Sequence, residues 1–321
     1  MANNYLGLDI LGRHDINVAK ERYKCIDPLD FESWTESRVK TFEYNQQTFE
    51  SFVDIPDNVD ANEVVLFCSE FATGLNHIRL IEKALIARDA INPRAFLVIQ
   101  PNSTKTRPYM NFSEAERNEL RSGNAEPIVG RINTIMANIG SPNKITVFGP
   151  SQGATVVLEY ASQLNQSVTV IAVEAPNVIS RSDLRLAIDF LSAGKDLPLV
   201  VESNFENDES DYADIIRNDA SLPGMINFGR EALNPDNFAL MGLMKQNTAA
   251  DLMEKVLKNG GRVLHAWAEN ENVSPDPINL AIAEDLRQYP KYKSEIFKKI
   301  GHAVTDNNIL IKSLAEESIN I

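Results

Sequence analysis

The sequence has only two cysteines in 321 residues, Cys25 and Cys68, too few for a disulfide framework. Histidine is also sparse: His14, His77, His265 and His302 are the full set. No H-E-x-x-H, no C-x-x-C and no clustered Cys/His group occurs, which argues against transition-metal chemistry, and no metal or other cofactor is expected. A P-loop and a G-x-G-x-x-G fingerprint are both missing, which removes the common phosphate-cradling classes. Basic stretches are lacking as well. The net charge is −14, and an acidic chain without a basic stripe suits neither nucleic acid nor an anionic membrane surface. No window approaches the roughly 20 apolar residues of a membrane span. The opening "MANNYLGLDILGRHD" has no basic region and no long apolar stretch, so no signal peptide is expected and a cytoplasmic location is.

What the sequence does have is short apolar runs separated by helical patterns. "VVLFC" (64–68), "AFLVI" (95–99), "ITVF" (145–148), "VTVIAV" (168–173), "VLHAW" (263–267) and "EIFKKI" (295–300) are continuous rather than alternating. That pattern suits strands buried on both faces of a parallel sheet. Helices are predicted between them in "HIRLIEKALIARDA", "EPIVGRINTIMANIG", "QGATVVLEYASQLN" and "AADLMEKVLKNGG". The alternation predicts an α/β fold, a mostly parallel sheet flanked by helices. Residues 39–55 alternate around a polar "NQQ" break and read as an antiparallel hairpin at the sheet edge. The expected organisation is an N-terminal extension over 1–36, a core over 37–178 and 248–321, and an inserted helical lid over 179–247. Within the insertion, Glu206, Asp208, Glu209, Asp211 and Asp214 lack the spacing and glycine of a calcium loop and read as a solvated face. Phe238, Leu240, Met241, Leu243 and Met244 recur at helical spacing, as lid packing or as an adaptable wall for an acyl chain.

The informative stretch is Gly149-Pro150-Ser151-Gln152-Gly153, which stands between a buried strand and a helix. G-x-S-x-G in that setting is a nucleophile elbow. The corner strains the serine backbone, and glycine on either side avoids clashes with nearby chain. The reward is a hydroxyl at a helix N-terminus, where the dipole and the Gln152 N–H favour negative charge. A serine hydroxyl needs a base. His302, after the last apolar run, is the best placed; His265 lies inside a strand, and His77 could line the site. The base in turn needs a carboxylate. Glu271, beyond the "VLHAW" strand, is favoured, with Glu269 and Glu174 as alternatives.

From about residue 62 to its end the chain resembles the serine hydrolases of the α/β-hydrolase superfamily, through Gly149–Gly153, "ENENVSPDP" and Gly301-His302. The resemblance implies an acyl-enzyme mechanism on a small-molecule ester, with Ser151 as nucleophile, His302 as base and Glu271 as acid. It implies that a second oxyanion donor comes from the N–H of Glu70 or Phe71, in "CSEFATG", where the family often has His-Gly. A pocket including His77, Phe238, Met241 and Met244 is the expectation. Serine at the elbow argues against dehalogenase or epoxide-hydrolase chemistry of the aspartyl type. A thioesterase or acyltransferase with the same triad, or a non-catalytic module on this fold, are the alternatives.

Overall fold

Val, Ile, Leu and Phe dominate the central strands because both faces of each strand are covered. The computed structural model describes residues 31–71, 73–75, 78–177, 229–269, 276–297 and 308–321. Its sheet has eight strands: β1 (Val39–Tyr44), β2 (Gln47–Asp54), β3 (Asp60–Cys68), β4 (Ala95–Gln100), β5 (Lys144–Pro150), β6 (Val168–Val173), β7 (Arg262–Ala268) and β8 (Tyr292–Phe297). Their spatial order is β1-β2-β4-β3-β5-β6-β7-β8. β1 and β2 form the expected antiparallel hairpin, and β2 pairs antiparallel with β4. Its turn is Asn45-Gln46, both left-handed at φ 49° and 65°, as a two-residue hairpin turn matched to strand twist requires.

From β4 to β8 every pairing is parallel, so the carboxyl ends of these strands share one edge. The chain runs outward from β3 to β4, then returns to place β5 on the other side of β3. The strand order therefore reverses between β3 and β5, and ligands in open α/β sheets bind at the crevice such a switch opens. The last strand begins at Tyr292, earlier than the apolar run at 295–300, because Tyr292 pairs with Val263 of β7; residues 298–300 lie outside the described residues.

Side chains alternate across the sheet. Val64 and Leu66 point into one core, with Ile128 and Ile132 of α4 (Glu126–Asn138), Val156 and Val157 of α5 (Gln152–Ser162) and Val256 of α7 (Ala249–Lys258). Val65 and Phe67 point into the other, with Leu80 and Ala84 of α2 (Ile78–Ile91) and Ile311 and Leu314 of α9 (Asn308–Ser318). Phe67 and Phe148 stack there at 5.1 Å between β3 and β5.

One element escapes the apolar pattern. α3 (Glu114–Arg121) is polar and starts on a capping box, Ser113 with Glu116. α8 (Asp276–Leu286) follows β7. Of the N-terminal extension, residues 1–30 lie outside the described residues; α1 (Phe31–Glu36) ends it, and its Trp34 packs on Phe52 of β2 at 5.7 Å. Of the inserted segment, 179–228 lie outside them too. Its remainder contains α6 (Pro235–Gln246), whose Ala239, Leu240 and Leu243 join the first core beside Leu120 and Ile128.

Candidate active site

β5 carries a buried strand straight into α5, and Ser151 is the corner. Its φ is +50° and its ψ −121°, a left-handed conformation that a serine adopts only under constraint. Two hydrogen bonds hold it: Ser151 N–H donates to Val173 C=O (2.8 Å), and Ser151 C=O accepts from Ala154 N–H (2.9 Å). The flanking glycines are needed for space. A β-carbon on Gly149 would lie 2.3 Å from the Gly153 carbonyl oxygen. One on Gly153 would lie 2.3 Å from the Cys68 carbonyl oxygen and 2.7 Å from that of Ser69. The Gly153 approach brings the segment after β3 against the first turn of α5, across the switch point.

That segment, Ser69 to Phe71, includes Glu70 and Phe71, the two residues whose N–H groups the resemblance offers as a second oxyanion donor. Ser69 N–H donates to Gln100 C=O at the end of β4 (3.1 Å). Among the described residues, neither Glu70 N–H nor Gln152 N–H has an acceptor. The Glu70 side chain is paired through one of its two carboxylate oxygens, the other being buried without a partner among the described residues. Its Oε1 accepts from Lys83 Nζ of α2 at 2.6 Å, and Lys83 is itself buried.

No family model matches this sequence, and no curated protein matches it. Solved structures do. An α/β hydrolase enzyme from a Medee basin deep-sea metagenome library has a TM-score of 0.58 at 11% identity, covering 88% of this chain and 98% of its own. The chain has the α/β-hydrolase fold. The naproxen esterase of Bacillus subtilis is similar at TM-score 0.52 and 13% identity, over 91% of this chain and 95% of its own. The thioesterase domain from the curacin biosynthetic pathway is similar at TM-score 0.50 and 12% identity, over 88% and 98%.

On this α/β-hydrolase sheet the remaining candidates occupy separate places. Glu269 is exposed just past β7, its N–H donating to Phe297 C=O (2.9 Å). Glu174 is buried one residue past Val173, the residue that holds Ser151, and is left-handed at φ 53°. Glu271, His302, His77 and His14 lie outside the described residues. His265 is fully buried in β7, its Nδ1 3.0 Å from Tyr292 Oη. Burial pushes its pKa down to about 3 against an opposing influence of Asn279, so it stays neutral in the sheet as its strand position implies. Cys68 is a buried free thiol whose pKa burial raises, in keeping with a small hydrophobe. Phe238 is half-buried, while Met241 and Met244 are buried on α6. Trp267 Nε1 donates to Asp276 Oδ1 (2.7 Å), tying the end of β7 to the start of α8. Among the described residues no cluster of His, Cys, Asp and Glu is suited to hold a metal ion, and no helix is long and apolar enough to cross a membrane.

No motif marks Asn102, in the segment after β4. The structure places it between the Ser69–Phe71 segment and Gln152.

Proposed function

We propose that the protein is a serine hydrolase that cleaves carboxylic esters of small molecules through an acyl-enzyme. One observation carries the reading: a serine at φ +50° on a strand-to-helix corner, with glycines on both sides that no larger residue could replace without collision. Such strain costs about 1–3 kcal/mol and persists where the conformation serves a site. Ser151 attacks the ester carbonyl carbon, and its proton passes to His302. The tetrahedral oxyanion is held by the N–H groups of Gln152 and of Glu70 or Phe71. Collapse expels the alcohol, protonated by His302, and water repeats the sequence to release the acid. Glu271 orients His302 and stabilises its charged form.

The topology supports this assignment of base and acid. Glu271 follows Ala268 of β7 by three residues, and His302 follows Phe297 of β8 by five. Three strand spacings separate β5 from β8, about 14 Å at ~4.8 Å each. Five residues span up to roughly 17 Å, enough chain for a base at position 302 to cross that distance. Glu174 is the rival acid, supported by its burial beside the elbow.

The same groups would serve a thioesterase or an acyltransferase; the nature of the leaving group and of the acceptor decides. A non-catalytic module on this fold is less well supported, because Lys83 holds one carboxylate oxygen of the glutamate at the oxyanion donor, while the other, Oε2, is buried without a partner among the described residues. The test is Ser151→Ala. It should fold as wild type and lose hydrolysis of ester and thioester panels by about 10⁴- to 10⁶-fold in kcat. Unchanged turnover by the purified variant would contradict the reading.

A further inference from the structure

Behind the elbow, buried amide side chains form a closed hydrogen-bond circuit. Asn102 Nδ2 faces three acceptors: Glu70 C=O (2.6 Å), Gln152 Oε1 (2.8 Å) and Ser69 C=O (3.3 Å). Asn102 N–H is shared between Ser69 Oγ (2.8 Å) and Thr73 C=O (3.2 Å). Gln152 Nε2 donates onward to Asn237 C=O (3.3 Å) on α6. Asn237 Nδ2 donates to Ser103 C=O (2.8 Å), which returns the circuit to the residue next to Asn102. Asn102, Gln152 and Asn237 are all buried, so these bonds, apart from the part-buried one to Glu70 C=O, are made away from competing water.

We propose that Asn102 is a positioning residue for the oxyanion hole; this deepens the serine-hydrolase reading and rests on it. The reason is the geometry of the peptide unit. In a trans peptide the C=O and the following N–H point in opposite directions. Drawing Ser69 C=O towards Asn102 turns Glu70 N–H away from it, and drawing Glu70 C=O does the same to Phe71 N–H. One amide group, its two hydrogens divided among three acceptors, therefore sets the Glu70–Phe71 peptide plane and, through the longer shared contact, bears on the Ser69–Glu70 plane. Through Gln152 Oε1 the same group fixes the residue that carries the other donor, and Asn237 fixes the far end of that side chain. The two halves of the hole come from separate segments, after β3 and after β5, and Asn102 joins them in one frame. Only a primary amide fits: a carboxylate in its place would face three oxygen acceptors with no hydrogen to give.

The contribution should appear in the transition state and not in substrate binding, since donors must be aimed at the oxyanion rather than at the ground-state carbonyl. The test uses the full chain, a p-nitrophenyl ester of a short acid, and titration of active sites with a fluorophosphonate so that rates refer to folded enzyme. Asn102→Asp, the same shape without the donor, should lose about 10²-fold in kcat, the scale of a misplaced reacting group. KM should stay within about threefold, and affinity for a trifluoromethyl ketone, which binds as a tetrahedral oxyanion, should fall by the same factor as kcat/KM. A residue that merely supported the fold would lower the titrated fraction or the melting temperature and leave kcat per site and ketone affinity unchanged. Should Asn102→Asp not fold, Gln152→Met keeps the backbone N–H and the volume but opens the circuit, and should show the same pattern at about 10-fold. Unchanged kcat per site and ketone affinity in the folded variant would overturn the role of Asn102. A wild-type chain that neither hydrolyses the esters nor labels at Ser151 would instead remove the serine-hydrolase reading, and this role with it.

Discussion

At the scale of single residues, two non-glycine residues take left-handed backbones at the ends of neighbouring strands: Ser151 after β5 and Glu174 after β6. Each is over-determined by its surroundings, Ser151 through Val173 C=O and Glu174 through a 2.7 Å bond from its N–H to Ala266 C=O. The sequence marks the first, because the glycines at 149 and 153 record a local steric need. It does not mark the second, whose conformation depends on a strand about 90 residues further along. Asn102 and Lys83 are illegible for the same reason: each acts on a partner brought close by the sheet, and neither stands in a local pattern. The identity of the acid is where these two kinds of signal meet. Glu271→Gln should cost about 10³- to 10⁴-fold in kcat, because only the true partner sets the His302 tautomer. Glu174→Gln and Glu269→Gln should stay within about tenfold. Steady-state kinetics on the three variants decides, and a Glu174→Gln enzyme as crippled as a triad variant would move the acid to the end of β6.

At the scale of elements, the strands are the most legible part of the chain. β3 through β7 are buried on both faces, so their apolar runs are continuous and stand out against the helices between them. α3 stands out least, since its place depends on a capping box and on contact with α6 rather than on an apolar face. α6 reads two ways in sequence, and the structure separates its residues. Leu240 and Leu243 fill the core, and a β-carbon on Gly242 would lie 2.9 Å from Arg121 Cα of α3, which shows how closely the two helices approach. The same helix reaches the elbow through Asn237 C=O and Gln152. Leu243→Ala should therefore cost about 2–5 kcal/mol in urea unfolding, as a core truncation does, whereas a lid residue would cost far less. If Met241 and Met244 also wall an acyl pocket, each substrate methylene should add up to about 0.8 kcal/mol to transition-state binding until the pocket is full. Polar replacement of both methionines should flatten a chain-length series in kcat/KM while sparing acetyl esters. An unchanged series would mean that they only pack.

At the scale of the molecule, a neutral histidine is locked between the last two strands and couples the whole fold to pH. His265 has a folded pKa of about 3 against an ordinary 6.5. Between those values the unfolded chain holds the proton and the folded chain does not, so stability is full above 6.5 and is lost as pH falls through the window, by up to about 1.4 kcal/mol per pH unit. His265→Asn removes that component. The stability difference between wild type and variant should shift in the variant's favour by about 2–3 kcal/mol from pH 7 to pH 4.5, as read from urea midpoints at each pH. Parallel acid limbs would mean that His265 titrates normally.

Catalysis as proposed draws on the whole sheet, since it needs a nucleophile from the end of β5 and a base from beyond β8 at one edge. The most direct test is the rate and site of reaction with a fluorophosphonate, in wild type and in His302→Ala, with the adduct located by peptide mass spectrometry. The account predicts one adduct per chain on Ser151, and a rate reduced by at least about 10³-fold without His302, as expected when a base that activates the nucleophile is removed. No adduct, an adduct on another serine, or equal rates in the two proteins would contradict it.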